Sequence, residues 1–333
     1  MANIKNIPPF AAAVLTLLLA ACASAPKAEM PSIVSKDGAK LYEFRVGNSK
    51  YLLNPEEGAQ VLTWNYTRPD GSVRKILHWP EGAVRGSFGT TPAVYGGAPV
   101  FFPFCGMSHD GAKPNFWKAP DGRSLPMRKF GFVDNGKFEV VSFSNDGILL
   151  KFIQNDDSRK SYPFKYDFYV RYHFGEKSYR IELILRNNDD IALPWGPGYH
   201  PFFNMPWVAG TKHADYRQIV DCAAAYLVLN DKGLLRPVAF DDMSFGNAST
   251  ARIHADLRSP CVKIVCDKSD EEITMILNGG KLEPYFCLVN WGIPDKTPFW
   301  AAEFWVVPPF AAGRNAPKVA PHSTGVYSVE IRL

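Results

Sequence analysis

The sequence predicts an all-β protein, a large antiparallel β-sandwich in one domain. Short runs rich in β-branched and aromatic residues recur along the chain, and turn residues separate them. No amphipathic helical pattern of about ten residues or more follows the N-terminal segment. The composition, 46% hydrophobic and 14% aromatic, agrees with a packed globular body. Because no repeat or shift in composition marks a boundary, we expect residues 37–333 to form a single domain.

The predicted strands alternate apolar and polar residues or are enriched in strand formers. In chain order they are 41–46, 51–53, 60–65, 137–142, 148–154, 164–174, 179–185, 225–229, 262–266, 272–277, 285–290, 300–306 and 325–331. The pairs Asp70-Gly71 and Asp146-Gly147 predict hairpin turns between neighbouring strands.

The N-terminal segment is predicted to direct export. Residues 10–21 form an apolar run that is too short to span a bilayer. It ends in Leu19-Ala20-Ala21-Cys22, which resembles a bacterial lipoprotein signal. The resemblance implies that residues 1–21 are removed and that Cys22 carries lipid. No aspartate follows Cys22, which implies the outer membrane, facing the periplasm. The alternative is an ordinary secretory signal with Cys22 incidental. Residues 22–36 are predicted to be a tether.

Charge and cysteine content exclude some classes of partner. The net charge of +4 is too weak and too evenly spread to indicate nucleic acid or an anionic surface. Five cysteines follow Cys22, and an odd number leaves at least one unpaired. No Cys-x-x-Cys pair occurs, so a metal site built on thiols is not predicted. We expect mostly buried, inert thiols and at most one or two disulfides.

His200 is the first candidate for chemistry. It lies among aromatic residues, with Gly196 and Gly198 before it and Pro201 after it. The strand predicted upstream ends at a turn, so His200 is expected to project from a strand end or a tight loop into an aromatic-lined hollow. The alternative is a core histidine whose ring nitrogens are satisfied by the backbone.

Several segments together resemble the aldose 1-epimerase-like, or galactose mutarotase-like, proteins. They are Gly96-Gly97-Ala98-Pro99 with the phenylalanines and Pro103 after it, Phe130-Gly131-Phe132 in the place of His-Gly-Phe, His200-Pro201-Phe202-Phe203-Asn204, the glutamate strand 298–305, and 319–322 before the last strand. The resemblance covers roughly residues 40–333. It implies the galactose mutarotase-like β-supersandwich, in agreement with the strand pattern.

The resemblance also implies an activity that needs no cofactor or metal. One group removes the proton of the sugar's C1 hydroxyl while another protonates the ring oxygen. The ring opens, and closure gives the other anomer. Carried over by motif, His200 is the acid and Glu303 the base, residue types suited to these roles. The alternative for Glu303 is a solvated strand residue, but residues 299–307 around it are almost wholly apolar.

The sequence departs from the family pattern at informative positions. Phe130 stands where many relatives have a second histidine, and His109 is a candidate to fill the same space. Phe304 replaces the proline that usually follows the glutamate. Tyr95 replaces the arginine of relatives that act on sugar phosphates, which indicates an unphosphorylated substrate.

Aromatic residues near these segments are candidates to contact a carbohydrate. They are Phe130, Trp195, Tyr199, Phe202 and Trp305, and core packing is the alternative for the last four. Three functions remain open: an epimerase for free aldoses or saccharide ends, a carbohydrate-binding lipoprotein without turnover, and a structural envelope protein. A His200–Glu303 pair would favour the first two, whereas loss of the second histidine favours the second over the first.

Overall fold

The computed structural model describes residues 27–87, 93–228, 235–238, 243–245, 251–307 and 316–333. Its regular structure is almost entirely β, as predicted. The first strands are β1 (Ala28–Lys36), β2 (Ala39–Val46), β3 (Ser49–Asn54), β4 (Gln60–Thr67), β5 (Val73–Lys75), β6 (Val100–Phe101), β7 (His109–Asp110), β8 (Lys113–Pro114), β9 (Phe116–Lys118) and β10 (Ser124–Pro126). Next come β11 (Phe138–Phe143), β12 (Gly147–Phe152), helix α1 (Asp156–Ser161), β13 (Tyr166–Phe174), β14 (Ser178–Asn187), β15 (Leu193–Pro194), β16 (Gly198–Tyr199) and β17 (Phe202–Asn204). A 3₁₀ turn (His213–Asp215) precedes β18 (Tyr216–Ile219), β19 (Cys222–Val228), β20 (Leu235–Val238), β21 (Met243–Ser244), β22 (Ala251–Leu257), β23 (Cys261–Cys266) and β24 (Ser269–Leu277). A second 3₁₀ turn (Asn278–Gly280) leads to β25 (Cys287–Trp291), β26 (Phe299–Trp305), β27 (Lys318–Val319) and β28 (Thr324–Arg332).

Three large antiparallel sheets contain most of these strands. A five-stranded sheet has the order β1-β2-β3-β4-β5. A nine-stranded sheet has the order β11-β12-β13-β14-β28-β24-β23-β18-β21. An eight-stranded sheet has the order β20-β19-β22-β25-β26-β16-β6, with β17 also paired to β26. In the five-stranded sheet every strand pairs with the next one in the chain, whereas the two larger sheets also pair strands that are distant in the chain.

Part of the predicted tether is a strand. Residues 28–36 form β1, which pairs with β2 from Ala28 opposite Val46 to Lys36 opposite Ala39. The prediction of a tether over 22–36 is therefore wrong from Ala28 onward. The sequence concealed this strand because β1 lies at a sheet edge and is exposed on both faces, so it shows no apolar alternation.

The main core lies between the sheets. The hydroxyl groups of Tyr179 on β14 and Tyr199 on β16 are 2.8 Å apart, joining the nine-stranded and eight-stranded sheets through the core. Tyr51 on β3 packs edge-on against Tyr179 at 5.9 Å, which brings in the five-stranded sheet. The core is rich in large aromatic rings and leaves little freedom in how the sheets pack.

Strand β26 divides its side chains between two environments. Trp300, Ala302 and Phe304 point into the main core, whereas residues 299, 301, 303 and 305 point to the opposite face of the eight-stranded sheet. All seven residues of β26 are buried. The face away from the main core is therefore also covered, and Glu303 lies on it.

The cysteines after position 22 are all free thiols, and only Cys261 is not fully buried. This agrees with the expectation of mostly buried thiols. Within the described part of the chain, no helix has the length and apolar character needed to cross a bilayer. Cys22 and the predicted signal lie outside the described residues.

Candidate active site

His200 lies between two short strands, as expected for a strand-end position. It directly follows β16 and is separated from β17 only by Pro201. The backbone N–H of His200 donates to the carbonyl of Pro99 at 3.0 Å, and that of Phe202 donates to the carbonyl of Gly97 at 2.9 Å. The Gly-Gly-x-Pro segment therefore holds the histidine segment through main-chain hydrogen bonds, which fix where the imidazole points.

Two glycines allow this close packing. Gly97 has φ +64°, and a Cβ atom there would lie 2.8 Å from the carbonyl oxygen of Val61. A Cβ atom on Gly198 would lie 2.2 Å from the Cys105 sulfur. Since real Cβ contacts are longer, any other residue would force the segments apart and displace His200.

The structure brings His200 and Glu303 into direct contact. Nε2 of His200 lies 2.9 Å from Oε1 of Glu303, and both residues are only 2% exposed. The second carboxylate oxygen, Oε2, accepts a hydrogen bond of 2.8 Å from the indole N–H of Trp305. Both oxygens of a buried carboxylate thus have a donor, which offsets the cost of removing it from water.

Aromatic rings surround this pair. The His200 ring contacts Phe101 edge-on at 5.6 Å and Phe202 at 4.6 Å. Phe130 stacks on Phe101 at 4.3 Å and meets Trp305 edge-on at 5.7 Å. Phe130 and Trp305, both predicted substrate contacts, therefore lie beside the pair. Trp305 also has a role that the sequence did not suggest, because its indole holds Glu303.

Two predicted substrate contacts are wrong. Trp195 and Tyr199 are 1% and 0% exposed and belong to the main core. Trp195 stacks on Tyr327 at 4.9 Å, and the Tyr199 hydroxyl is bonded to that of Tyr179. The reason is the pleat of the strand: Tyr199 is adjacent to His200, so their side chains lie on opposite faces.

The segment around His109 lies next to Phe130. His109 is half-buried in β7, opposite Pro114 of β8. The N–H of Phe130 donates to the carbonyl of Gly106 at 2.9 Å, which ties the start of this segment to the site wall. That His109 substitutes for the second family histidine stays a prediction.

Two buried thiols lie near Glu303. Burial raises the pKa of Cys105 and of Cys287, and the Glu303 carboxylate raises each further. Both thiols are therefore uncharged and behave as small apolar side chains. Neither thiol acts as a base at neutral pH.

A second polar cluster lies on β19, β22 and β25, and no motif in the sequence predicts it. Nε2 of His254 lies 2.9 Å from Oδ1 of Asn290, and Nδ1 lies 3.8 Å from the sulfur of Cys222. The order thiol, imidazole, amide resembles a nucleophilic triad. However, burial lowers the pKa of His254 to about 4 and raises the pKa of Cys222. Both groups are neutral at pH 7, so the cluster joins three strands and does not hold a thiolate.

This cluster predicts acid sensitivity of the fold. In the unfolded chain a histidine has a pKa near 6.5, whereas burial lowers the pKa of His254 in the folded protein to about 4. Between these two pH values the unfolded state therefore binds a proton that the folded state does not. Stability is unaffected above pH 6.5 and falls as pH drops through this window, by about 2–3 kcal/mol at pH 4.5. Urea unfolding at pH 7 and 4.5 should show a smaller acid loss in His254→Gln than in the wild type. The matched control is His173→Gln, at an exposed position; equal losses in the two variants would contradict the prediction.

Among the residues that the structure describes, no group of three or more His, Cys, Asp or Glu side chains is arranged to hold a metal ion.

The same fold occurs in solved structures of galactose mutarotase-like proteins. A galactose mutarotase-like protein from Clostridium acetobutylicum superposes with a TM-score of 0.72 at 16% identity, covering 92% of this chain and 98% of that one. A galactose mutarotase related enzyme from Lactobacillus acidophilus gives 0.68 at 18% identity, covering 88% and 96%. At these identities the likeness shows the fold.

The sequence itself matches known proteins. It is 26% identical over 225 residues to the plasmid-encoded protein LacX of Lactococcus lactis subsp. lactis, covering 63% of this chain and 73% of LacX. Residues 40–269 match the family model for aldose 1-epimerase. This match supports a general epimerase or mutarotase role with carbohydrate as the ligand class. By its sequence, its fold and the order of its motifs, the chain belongs to the aldose 1-epimerase family.

Proposed function

We propose that the protein interconverts the anomers of unphosphorylated aldoses or of saccharide reducing ends, with His200 as acid and Glu303 as base. The single observation that carries the proposal is the buried contact of 2.9 Å between the imidazole and the carboxylate. Buried ionisable groups are costly and are commonly retained at functional sites. Here the two residues lie on one face of one sheet, in a ring of aromatic side chains.

The reaction balances with these two groups. The Glu303 carboxylate takes the proton of the C1 hydroxyl, the C1 carbonyl forms, and the bond from C1 to the ring oxygen breaks. The ring oxygen takes its proton from the His200 imidazolium. Rotation about the C1–C2 bond presents the other carbonyl face, and the same steps in reverse close the ring. Both side chains return to their starting charge, so no co-reactant is consumed.

The contact between the two groups suits this substrate. The hydroxyl oxygen and the ring oxygen of an aldose are bonded to the same carbon, so the acid and the base must lie close together. A sugar entering beside the pair replaces their mutual hydrogen bond with one bond to each oxygen. Trp305 meanwhile keeps its hold on Oε2 of Glu303, which limits how far the carboxylate can rotate.

The residue at position 95 supports an unphosphorylated substrate. Tyr95 stands where relatives that act on sugar phosphates carry arginine, and its ring packs on Trp291 at 5.3 Å. It offers no positive charge to a phosphate group. A sugar's apolar C–H face suits such rings.

One observation favours the second candidate function, carbohydrate binding without turnover. Phe130 occupies the position of the second family histidine and stacks on Phe101, so it offers no proton there. The test is NMR exchange or polarimetry on freshly dissolved α-anomers of common aldoses. Acceleration over the spontaneous rate supports the enzyme. Sugar binding without acceleration supports the binding protein, and Phe130→His is then the change to restore activity.

We further propose that Cys22 is lipidated and anchors the domain to the outer membrane, facing the periplasm. The support is the Leu-Ala-Ala-Cys sequence at 19–22. Stable anchoring needs more than one acyl chain, which lipoprotein processing supplies. Cys22→Ser should move the protein from the membrane fraction to the soluble periplasmic fraction. A variant that stays with membranes after a salt wash would rule out the anchor.

A further inference from the structure

A cleft of about 480 Å³ lies on the outer side of the five-stranded sheet. We call it the outer cleft; its floor is the apolar cluster of Leu41, Leu52 and Leu62. Residues 79–84 cross this floor, and the Trp79 indole donates to the carbonyl of Ala83 at 2.7 Å, which holds the crossing segment in a turn. The shape of the cleft is therefore fixed by the fold, and the cleft is separate from the His200–Glu303 pair.

The lining of the outer cleft combines an aromatic ring with varied polar groups. Half-buried Trp79 presents an indole beside Asn65, Lys75, His78 and Glu81. The charged groups of the lining are Lys36, Lys75 and Glu81, and all three are exposed to solvent, which screens their charges. Burial lowers the pKa of His78, leaving an imidazole that can both donate and accept hydrogen bonds. A neutral ligand with many hydroxyl groups and apolar C–H faces fits this lining.

The outer cleft lies at the far end of the strand that carries Glu303. From Glu303, β26 runs back through Ala301 to Phe299, on the same face, and Pro298 then lines the cleft. Five residues of extended strand span roughly 17 Å. A monosaccharide cannot bridge this distance, whereas a short oligosaccharide can.

Aromatic rings line the interval between the pair and the cleft. Phe202, which contacts His200, packs on Phe299 at 4.8 Å, and Phe299 in turn contacts the His78 ring at 5.4 Å. On the outer side of these rings lie half-buried Trp291 and Tyr95, which is 41% exposed. Phe202 and Phe299 are 0% and 4% exposed, so a sugar in this interval would stack on Tyr95 and on Trp291, which packs on both buried rings.

We propose that the outer cleft binds the distal units of a saccharide chain whose reducing end reaches His200 and Glu303. The inference rests on the proposed function and specifies its substrate class: oligosaccharides in preference to free monosaccharides. The occupant is a carbohydrate, because Trp291 and Phe299 connect the site to His78 of the cleft, and the cleft joins an indole ring to groups that donate and accept hydrogen bonds.

The test compares chain lengths. Reducing-end anomer exchange is measured by NMR for the mono-, di-, tri- and tetrasaccharides of β-1,4-linked and of α-1,4-linked glucose. In the wild type, kcat/KM for the tetrasaccharide of one series should exceed that for glucose by about tenfold, the effect of one good contact. Trp79→Ala should bring this ratio close to one. Asn65→Leu replaces the side-chain amide with an apolar group of similar size, and it should give a ratio between those of the wild type and Trp79→Ala. The control is Phe143→Ala, at a 44% exposed aromatic residue of β11, which should keep the ratio.

The outcomes separate this inference from the proposed function. Turnover with a wild-type ratio near one in both series, or a ratio that Trp79→Ala leaves intact, overturns the oligosaccharide inference and leaves the epimerase standing. If the wild type accelerates no anomer exchange, the epimerase fails. Titration calorimetry with both tetrasaccharides then decides: binding lost in Trp79→Ala and kept in Phe143→Ala supports the cleft, and no such difference overturns it. Thermal unfolding of each variant confirms that it is folded.

Discussion

Glu303→Gln and His200→Asn are each expected to lower kcat/KM for anomer exchange by ~10² to 10⁴-fold, the usual contribution of a positioned acid or base. Glutamine keeps the shape of the carboxylate and can still contact His200 and Trp305, so the loss reports lost proton transfer and not a collapsed site. Since the two groups act as one unit, the double variant should cost little more than either single variant. NMR exchange between the anomer signals measures all three.

Strand β26 carries two tryptophans that provide a second test and its control. Trp305→Phe removes the hydrogen bond to Oε2 of Glu303, and we expect an intermediate loss, mainly in kcat. Trp300→Phe removes the hydrogen bond of 3.2 Å to Gln218 in the main core. It should lower stability and leave kcat near the wild-type value. A Glu303→Gln variant that keeps more than about a tenth of the wild-type kcat/KM would exclude Glu303 as the base.

Gly131→Ala is expected to destabilise the fold by about 4 kcal/mol or more, which is exceptional for one methyl group. Gly131 has φ +77°, and a Cβ atom there would lie 1.9 Å from the carbonyl oxygen of Phe102. That carbonyl accepts the N–H of Phe132 at 3.0 Å, so it cannot move away without losing a buried hydrogen bond. The free energy of unfolding in urea measures the loss.

Gly122→Ala is the matched control. Gly122 has φ +86°, and a Cβ atom there would meet nothing within 4 Å. Its cost should be only that of the left-handed backbone, about 1–2 kcal/mol. Similar losses in the two variants would show that the contact with Phe102 relaxes freely. The Gly131 variant should also lose activity. Phe101 precedes Phe102 and Phe130 precedes Gly131, and these two rings stack on each other beside His200 and Glu303.

The long strands could be predicted from the sequence because they are rich in strand-forming residues; in β13 burial also alternates, whereas β26 is buried throughout. Residues 164–174 and 300–306 were predicted as strands, and β13 and β26 occupy almost the same ranges. The two-residue strands, such as β6 and β16, could not be predicted, since a period of two needs more residues to show. Their pairing depends on segments distant in the chain.

The candidate site divides in the same way. His200 and Glu303 could be placed together because their motifs carry them in a known order. Trp195 and Tyr199 were misplaced, because composition does not tell which face a residue in a short strand occupies. The hold of Trp305 on Glu303 and the cluster of His254 with Asn290 join residues whose contact only the folded sheet reveals.

Strand β1 limits the range of an anchored domain. With residues from Ala28 onward hydrogen-bonded into the sheet, five residues separate Cys22 from the folded body. Fully extended, the distance from Cys22 to Ala28 would be roughly 20 Å. A domain attached to lipid through Cys22 would stay within this distance of the bilayer surface and could not diffuse through the periplasm. It would encounter sugars as they pass along the membrane, so its supply would depend on flux at that surface and not on the bulk concentration.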